Sequence, residues 1–268
     1  MLQIRLWAPA FACAFVCFTS SAQFASSVVS YTAGSGASAG YTDPSRALGA
    51  PTTFIGYQNT DPFNLPYQSS DLVSVGVGGS LTLQLNTPIQ NDPSHPFGLD
   101  FIIFGHAGFM VTNGNYSGGG ITDGSFFTGG AGTTRISVSA DGITYYRLDP
   151  TRAPNVDGLF PTDASGNFLK PVNPALTASD FAGKDLAGIR ALYSGSGGGA
   201  GFGLSWAQDG TGQSVFLPSV DFVRVEVLSG SAFIDAVSIV PEPSAVAVLG
   251  LGIVGWLLSA RWQRTQRT

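Results

Sequence analysis

Residues 220–228 read Val-Asp-Phe-Val-Arg-Val-Glu-Val-Leu. Val223, Val225 and Val227 fall on one side of an extended chain, and Arg224 and Glu226 on the other. This period of two is the mark of a strand with one face in a core and one in water. Gly230 then turns the chain into 232–240, a second apolar strand interrupted by Asp235. The same alternation appears upstream. Leu81, Leu83 and Leu85 alternate with Thr82 and Gln84, after a strand at 72–77 and a turn at Gly78-Gly79. Ile136 and Val138 alternate with Ser137 and Ser139, so the valine and isoleucine are expected inward and the serines outward. Asp141-Gly142 is the strongest hairpin signal in the chain and leads into a strand at 143–148. Residues 99–104, Leu-Asp-Phe-Ile-Ile-Phe, are nearly all apolar and read as a central strand in which Asp100 is the odd residue.

Weaker strand candidates lie at 28–31, 54–57 and 202–206. Residues 86–96 read as a polar loop, 181–193 as a short helix or two turns, and 195–201 as a flexible glycine run. Residues 149–180 hold Pro, Asn, Asp and Gly with no core pattern, and such length marks a functional or mobile excursion. Eight to ten strands with no repeated helix between them predict an all-β fold, an antiparallel β-sandwich over 28–240.

The two ends have a different composition. Residues 1–22 carry Arg5, an apolar stretch from Leu6 to Phe18, and Ser20-Ser21-Ala22, which read as a signal peptide cut by signal peptidase after Ala22. Residues 241–268 open with Pro241-Glu242-Pro243-Ser244. They continue as an apolar run and finish with a basic cluster containing Arg261, Arg264 and Arg267. As a helix, 244–260 would be about 25 Å long, at the short end of a membrane span. The arginines would hold its end on the cytoplasmic side. The domain organisation expected is therefore signal peptide 1–22, β-sandwich 23–240, and a C-terminal signal 241–268.

The order Pro-Glu-Pro, hydrophobic helix, basic tail resembles the PEP-CTERM sorting signal of exported Gram-negative proteins. The resemblance implies an exosortase-like membrane transpeptidase as partner and an inner-membrane intermediate. Cleavage near Pro241, Glu242 and Pro243 would follow, then transfer to the cell surface or extracellular matrix. The body is similar to a group of PEP-CTERM proteins with a jelly-roll-like β-sandwich. The matching stretches are SLTLQLNTPIQ (80–90), FGLDFIIFG (97–105), ISVSADGITYYRL (136–148), FGLSWAQD (202–209), VDFVRVEVLSG (220–230) and FIDAVSIV (233–240). Relatives commonly carry Asp where this chain has Gly203, so any role of that carboxylate is missing here.

Composition excludes several chemistries. Four of the 12 Lys and Arg (Arg5, Arg261, Arg264 and Arg267) lie in the two end segments. Residues 23–243 therefore carry 8 basic against 17 acidic residues, a net charge of −9. A phosphate backbone would be repelled over most of this surface, which argues against nucleic acid. Both cysteines, Cys13 and Cys17, fall in the signal peptide, so the body has no thiol or disulfide chemistry. With two histidines and no cysteine, a structural zinc site is not expected.

Few residues suggest a site. Gly36-Ala37-Ser38-Ala39-Gly40 matches a nucleophile elbow by letter, without the firm strand before it and helix after it that the motif needs. His95 reads as a surface residue, and His106 as a hydrogen-bonded loop histidine or a ligand contact. A glycosidase would need a pair of carboxylates, but Glu226, the only glutamate in 23–240, sits on the polar face of a regular strand and reads as a solvated side chain rather than an acid catalyst. Asp100 and Asp235 each interrupt an apolar strand, and a lone buried carboxylate is costly. Each is expected to face solvent, or to find backbone N–H groups, Arg224 or Ca²⁺ as a partner. Exposed aromatics can stack on sugars, and Tyr116, Phe126, Phe127, Tyr145, Tyr146 and Trp206 are candidates. Tyr145 and Tyr146 are adjacent on a strand, so one must face out. The expectation is a non-enzymatic exported surface or matrix protein linked to exopolysaccharide. A carbohydrate-binding module is the alternative, and an extracellular hydrolase ranks behind both.

Overall fold

A computed structural model describes residues 23–116, 118–127 and 132–242. The fold is all-β with antiparallel sheets. In chain order the strands are β1 (Ala25–Thr32), β2 (Val73–Gly76), β3 (Ser80–Gln90), β4 (Phe101–Phe104), β5 (Gly108–Phe109), β6 (Phe126–Phe127), β7 (Thr133–Ser139), β8 (Tyr146–Leu148), β9 (Ala200–Phe202), β10 (Ala207–Gln208), β11 (Ser219–Ser229), β12 (Ser231–Ile234) and β13 (Ala236–Ile239). Of two short helices, α2 (Leu186–Tyr193) answers to the segment read as a helix or two turns, whereas α1 (Ala178–Phe181) closes the 149–180 excursion.

The largest sheet runs β1-β3-β11-β7-β8-β10. Its centre is β11, whose Val223, Val225 and Val227 are buried while Arg224 and Glu226 lie on the opposite face. Leu81, Leu83 and Leu85 of β3 and Ile136 and Val138 of β7 join them in one core. A three-stranded sheet, β13-β4-β9, and a two-stranded one, β12-β2, supply the other side of that core through Phe101, Ile103, Val237, Val73 and Val75. Burial of this much apolar surface is the main favourable term in folding.

β4 is apolar throughout because both its faces are covered. Phe101 and Ile103 enter the main core, whereas Ile102 and Phe104 pack beneath Phe168 of the long excursion. The Phe168 ring meets Phe104 edge to face at 5.5 Å. The excursion thus serves as a cover. Together with α1 and α2 it also builds a second apolar cluster around Phe109, Phe160, Phe181 and Tyr193.

Several expectations need correction. β3 continues to Gln90, through half of the segment read as a polar loop, because Ser219 and Val220 of β11 pair with Gln90 and Ile89. Residues 54–57 form only an isolated bridge, Phe54 to Asn59. Residues 143–145 are loop, so the Asp141-Gly142 hairpin has a wider connection than two residues, although β7 and β8 do pair across it. Ser137 and Ser139 lie off the core side but are covered rather than exposed. The glycine run is not a loose linker, since residues 196–200 are all buried. A Cβ on Gly199 would lie 2.5 Å from Ile102 Cγ2, so the run is glycine because it presses against β4.

The apolar stretch at 232–240 is also two strands rather than one. β12 pairs with β2 and β13 pairs with β4, so the chain changes sheets at Asp235. Among the described residues no helix is long and apolar enough to cross a membrane. The signal peptide 1–22, the expected span 244–260, and Pro243, Arg261, Arg264 and Arg267 lie outside the described residues. Pro241 and Glu242 are exposed directly after β13.

Candidate ligand-binding face

The buried carboxylates come first, because they were the expected metal ligands. Asp100 Oδ2 accepts from the Leu204 N–H at 2.7 Å; Oδ1 accepts from the Asp92 N–H at 3.2 Å and lies 2.8 Å from His95 Nδ1. Burial pushes its carboxyl up, partly offset by those partners. Asp235 takes the Thr52 N–H at 2.9 Å and the Thr52 hydroxyl at 2.8 Å, and burial pushes it up to about 7. Each thus has the backbone N–H partner that was one of the options, and Arg224 serves neither. The donor sets do not fit Ca²⁺, which wants several oxygen ligands on one point. Here N–H and O–H donors already meet the carboxylates. Among the described residues no three His, Cys, Asp or Glu side chains come together as a metal site.

His95, expected at the surface, is buried, because it is the side-chain partner of Asp100. His106 is a hydrogen-bonded loop histidine, with Nδ1 2.5 Å from the Pro66 carbonyl; burial holds its pKa below the usual value. Sequence reading missed a third buried carboxylate, Asp157 in the excursion. It accepts from the N–H groups of His106 at 2.7 Å and Phe233 at 2.6 Å, and burial pushes it up to about 6. The Gly36–Gly40 stretch runs through turns, with the Ser38 N–H donating to Ser74 Oγ, and no helix follows it directly. Gly203 has its Cβ position 2.6 Å from the Gly98 carbonyl, so the packing here leaves no room for a side-chain carboxylate.

The outer face of the large sheet is a different environment. Strand register places Ser30, Thr82, Arg224, Ser137, Arg147 and Gln208 in one row across all six strands. One step along, Glu226 pairs with Arg135. Three of the eight basic residues of the body therefore share a face of an acidic protein. Between the row and the β10 turn lies an open groove of about 320 Å³, lined by these arginines, Tyr145 and Gln208.

The hairpin positions the aromatic. Asp141 Oδ1 accepts from the N–H groups of Ile143 and Thr144, both at 2.8 Å, and from Ser139 Oγ at 2.9 Å. The Thr144 and Ile143 bonds, then Ser139, hold its carboxyl down at about 2. This turn fixes the loop so that Tyr145 lies under the guanidinium of Arg224, whose Cζ is 3.6 Å from the ring centroid. A cation–π contact of this kind contributes about 0.5–2 kcal/mol. Tyr146 turns inward to the main core, as the adjacency of the two tyrosines requires. Arg224 Nε donates to Thr82 Oγ1 at 3.1 Å. The guanidinium is thus gripped by its ring face and its Nε, leaving the Nη fork toward the groove.

The acidic residues of the groove are already engaged. Glu226 Oε2 is 3.9 Å from Arg135 Nη1. Asp209 accepts from Thr211 Oγ1 at 2.7 Å, the Thr211 N–H at 2.8 Å and the Gln213 N–H at 3.0 Å, and these bonds hold its carboxyl low. Among the described residues no carboxylate lies within ion-pair distance of Arg147 or Arg224. Arg147 Nε and Tyr145 Oη are buried with no hydrogen-bond partner among them. Both atoms are covered by the protein itself, beneath the groove rather than on its surface.

The other aromatic candidates are arranged differently. Phe126 stacks on Phe109, Trp206 is buried beneath Arg152, and Phe127 meets His106 edge to face. Tyr116 is highly exposed, on a separate small pocket with Asp61 and Leu186. The groove was not foreseen, because its residues come from four strands and two loops and only register aligns them. No family model matches the chain, and no curated protein matches it.

Proposed function

We propose that this chain is an exported, non-enzymatic protein of the cell surface or extracellular matrix, whose body holds polysaccharide through the Arg224–Tyr145 groove. The observation that carries the reading is the groove itself: an open, polar cleft with a fixed aromatic–guanidinium stack. Sugars offer many hydroxyls and an apolar face, and such a cleft answers both. The body is read as a jelly-roll-like β-sandwich, in keeping with the shared core between the large sheet and the two smaller ones. The outer sheet face of such a sandwich is free to meet a polymer along its length.

Export is part of the same reading. Residues 1–22 leave by signal peptidase. Residues 241–268 hold the protein in the inner membrane until an exosortase-like transpeptidase acts near Pro241–Pro243. Exposure of Pro241 and Glu242 directly after β13 supports a reachable cleavage site. The binding reading is tested by affinity electrophoresis of the full chain through gels containing exopolysaccharide from a producing cell. Retarded migration that is lost in Tyr145→Ala is expected. Unretarded migration through every polysaccharide tried would remove the reading.

A further inference from the structure

We infer that the groove selects a carboxylate-bearing polysaccharide, a polyuronate, with Arg224 and Arg147 each forking onto a sugar carboxylate. The inference rests on the polysaccharide reading above and specifies the ligand of that same groove.

The first reason is charge placement. Residues 23–243 carry a net −9, and a neutral glycan would need no concentration of positive charge. Yet Arg135, Arg147 and Arg224 converge on one face. Two acids share the groove, Glu226 beside Arg135 and an ionised Asp209 held by its own turn, so three positive charges face two negative ones. The groove keeps one net positive charge, and Arg147 and Arg224 are the two arginines in it with no carboxylate at ion-pair distance among the described residues.

Geometry gives the second reason. Arginine presents a rigid planar fork that matches a planar carboxylate with two parallel hydrogen bonds. Arg224 is held for this by the Tyr145 ring and Thr82. Arg147 lies two strands away in the same row, with Ser137 between them. Neighbouring strands are about 4.8 Å apart, so the two backbones stand roughly 10 Å apart across the sheet. A polymer crossing the strands would meet both guanidinium groups along one line.

A nucleic acid is disfavoured, because its evenly spaced phosphates would run onto the acidic surface beyond three arginines.

The test uses the full chain in a detergent without a sugar headgroup. Calorimetry compares polygalacturonate, the same polymer with its carboxyls methyl-esterified, dextran, and dextran sulfate. Binding to polygalacturonate alone is expected, weakening as salt is raised, since exposed charges are screened. Arg147→Gln and Arg224→Gln should each weaken it by about tenfold or more. Arg224→Lys, which keeps the charge and loses the fork, should recover only part of that loss. Unchanged melting temperatures separate lost binding from lost fold. Equal binding of the methyl ester or dextran would overturn the carboxylate assignment while leaving the polysaccharide reading standing. Dextran sulfate binding as tightly as polygalacturonate would overturn it too, in favour of any anionic polymer. No binding to any of the four, nor to native exopolysaccharide, would remove both.

Discussion

Asp235 holds Thr52, 183 positions away in the chain, by both its backbone N–H at 2.9 Å and its hydroxyl at 2.8 Å. The bond sits where the chain leaves β12 in one sheet and enters β13 in another. Asp157 does the same work nearby, tying the N–H of His106, just beyond β4, to that of Phe233 in β12. Each carboxylate fastens backbone that no strand partner satisfies, and unpaired buried N–H groups are costly.

These two groups set a pH dependence. Burial raises Asp235 from 3.8 to about 7 and Asp157 to about 6. A carboxyl raised in the folded state keeps a proton that the unfolded chain has already released. Its favourable contribution is complete below the unfolded value and is lost as pH rises through the folded one. Each should cost roughly 1.4 kcal/mol of stability per pH unit across its window. His106, held below its usual pKa by burial, acts in the opposite sense, so the comparison must be between variants. The melting-temperature difference between Asp235→Asn and the parent, measured from pH 4 to 8, should move in favour of the variant as pH rises and level off above 7. A difference independent of pH would contradict the assignment.

Arg190 forks onto the buried carboxylate of Asp163, with Nε 2.7 Å from Oδ2 and Nη2 3.0 Å from Oδ1. Burial alone would raise Asp163, but Arg190 and then Ser165 more than offset it and leave the carboxyl below its usual value. Its contribution is present above the unfolded pKa and is lost as pH falls through the folded one. Arg190→Ala strands a buried charge and should cost about 3 kcal/mol. Denaturant unfolding at pH 7 measures the loss, and the difference from the parent should shrink at acid pH.

Gly199 has φ +84 and no room for a side chain, since a Cβ would meet Ile102 and Phe104 within 3.0 Å. Gly199→Ala combines left-handed strain with overpacking and should cost about 3 kcal/mol or more. Gly36, at φ +79, has nothing within 4 Å of the same position. Gly36→Ala should cost only about 1 kcal/mol, from strain alone. Equal losses on urea unfolding would show that the run at 195–201 is not packed as described.

Processing gives a prediction independent of the body. Protein recovered from native surface fractions should lack residues 1–22 and everything beyond the Pro241–Ser244 region. Intact mass decides this. Replacing Arg261, Arg264 and Arg267 with Gln should weaken retention and slow processing, because those charges fix the direction of the span. Deleting Pro241 to Pro243 should leave insertion intact and block processing. A surface form still ending at Thr268, in a cell that processes other proteins of this kind, would leave a simple membrane-anchored β protein.

The strands of the core were legible because period-two alternation is a local property. Val223, Val225 and Val227 declare their face within five residues, and so do Leu81, Leu83 and Leu85. Composition likewise disclosed the acidic body without cysteines. What the chain does not write locally is which strand lies beside which. Residues 232–240 read as one strand, since the alternation carries no mark of a change of sheet; only the pairing of β12 with β2 and β13 with β4 divides them. The 149–180 segment shows no period because Asp157 and Phe168 act singly, one as a clamp on two N–H groups and the other as a lid on β4. The arginine row follows the same rule. Arg147 and Arg224 are 77 residues apart, and each taken alone is an ordinary charge on a polar strand face. Register through β7 brings them into line, and register is decided by the whole buried core, because a slip of one residue would turn every valine of β11 out to water.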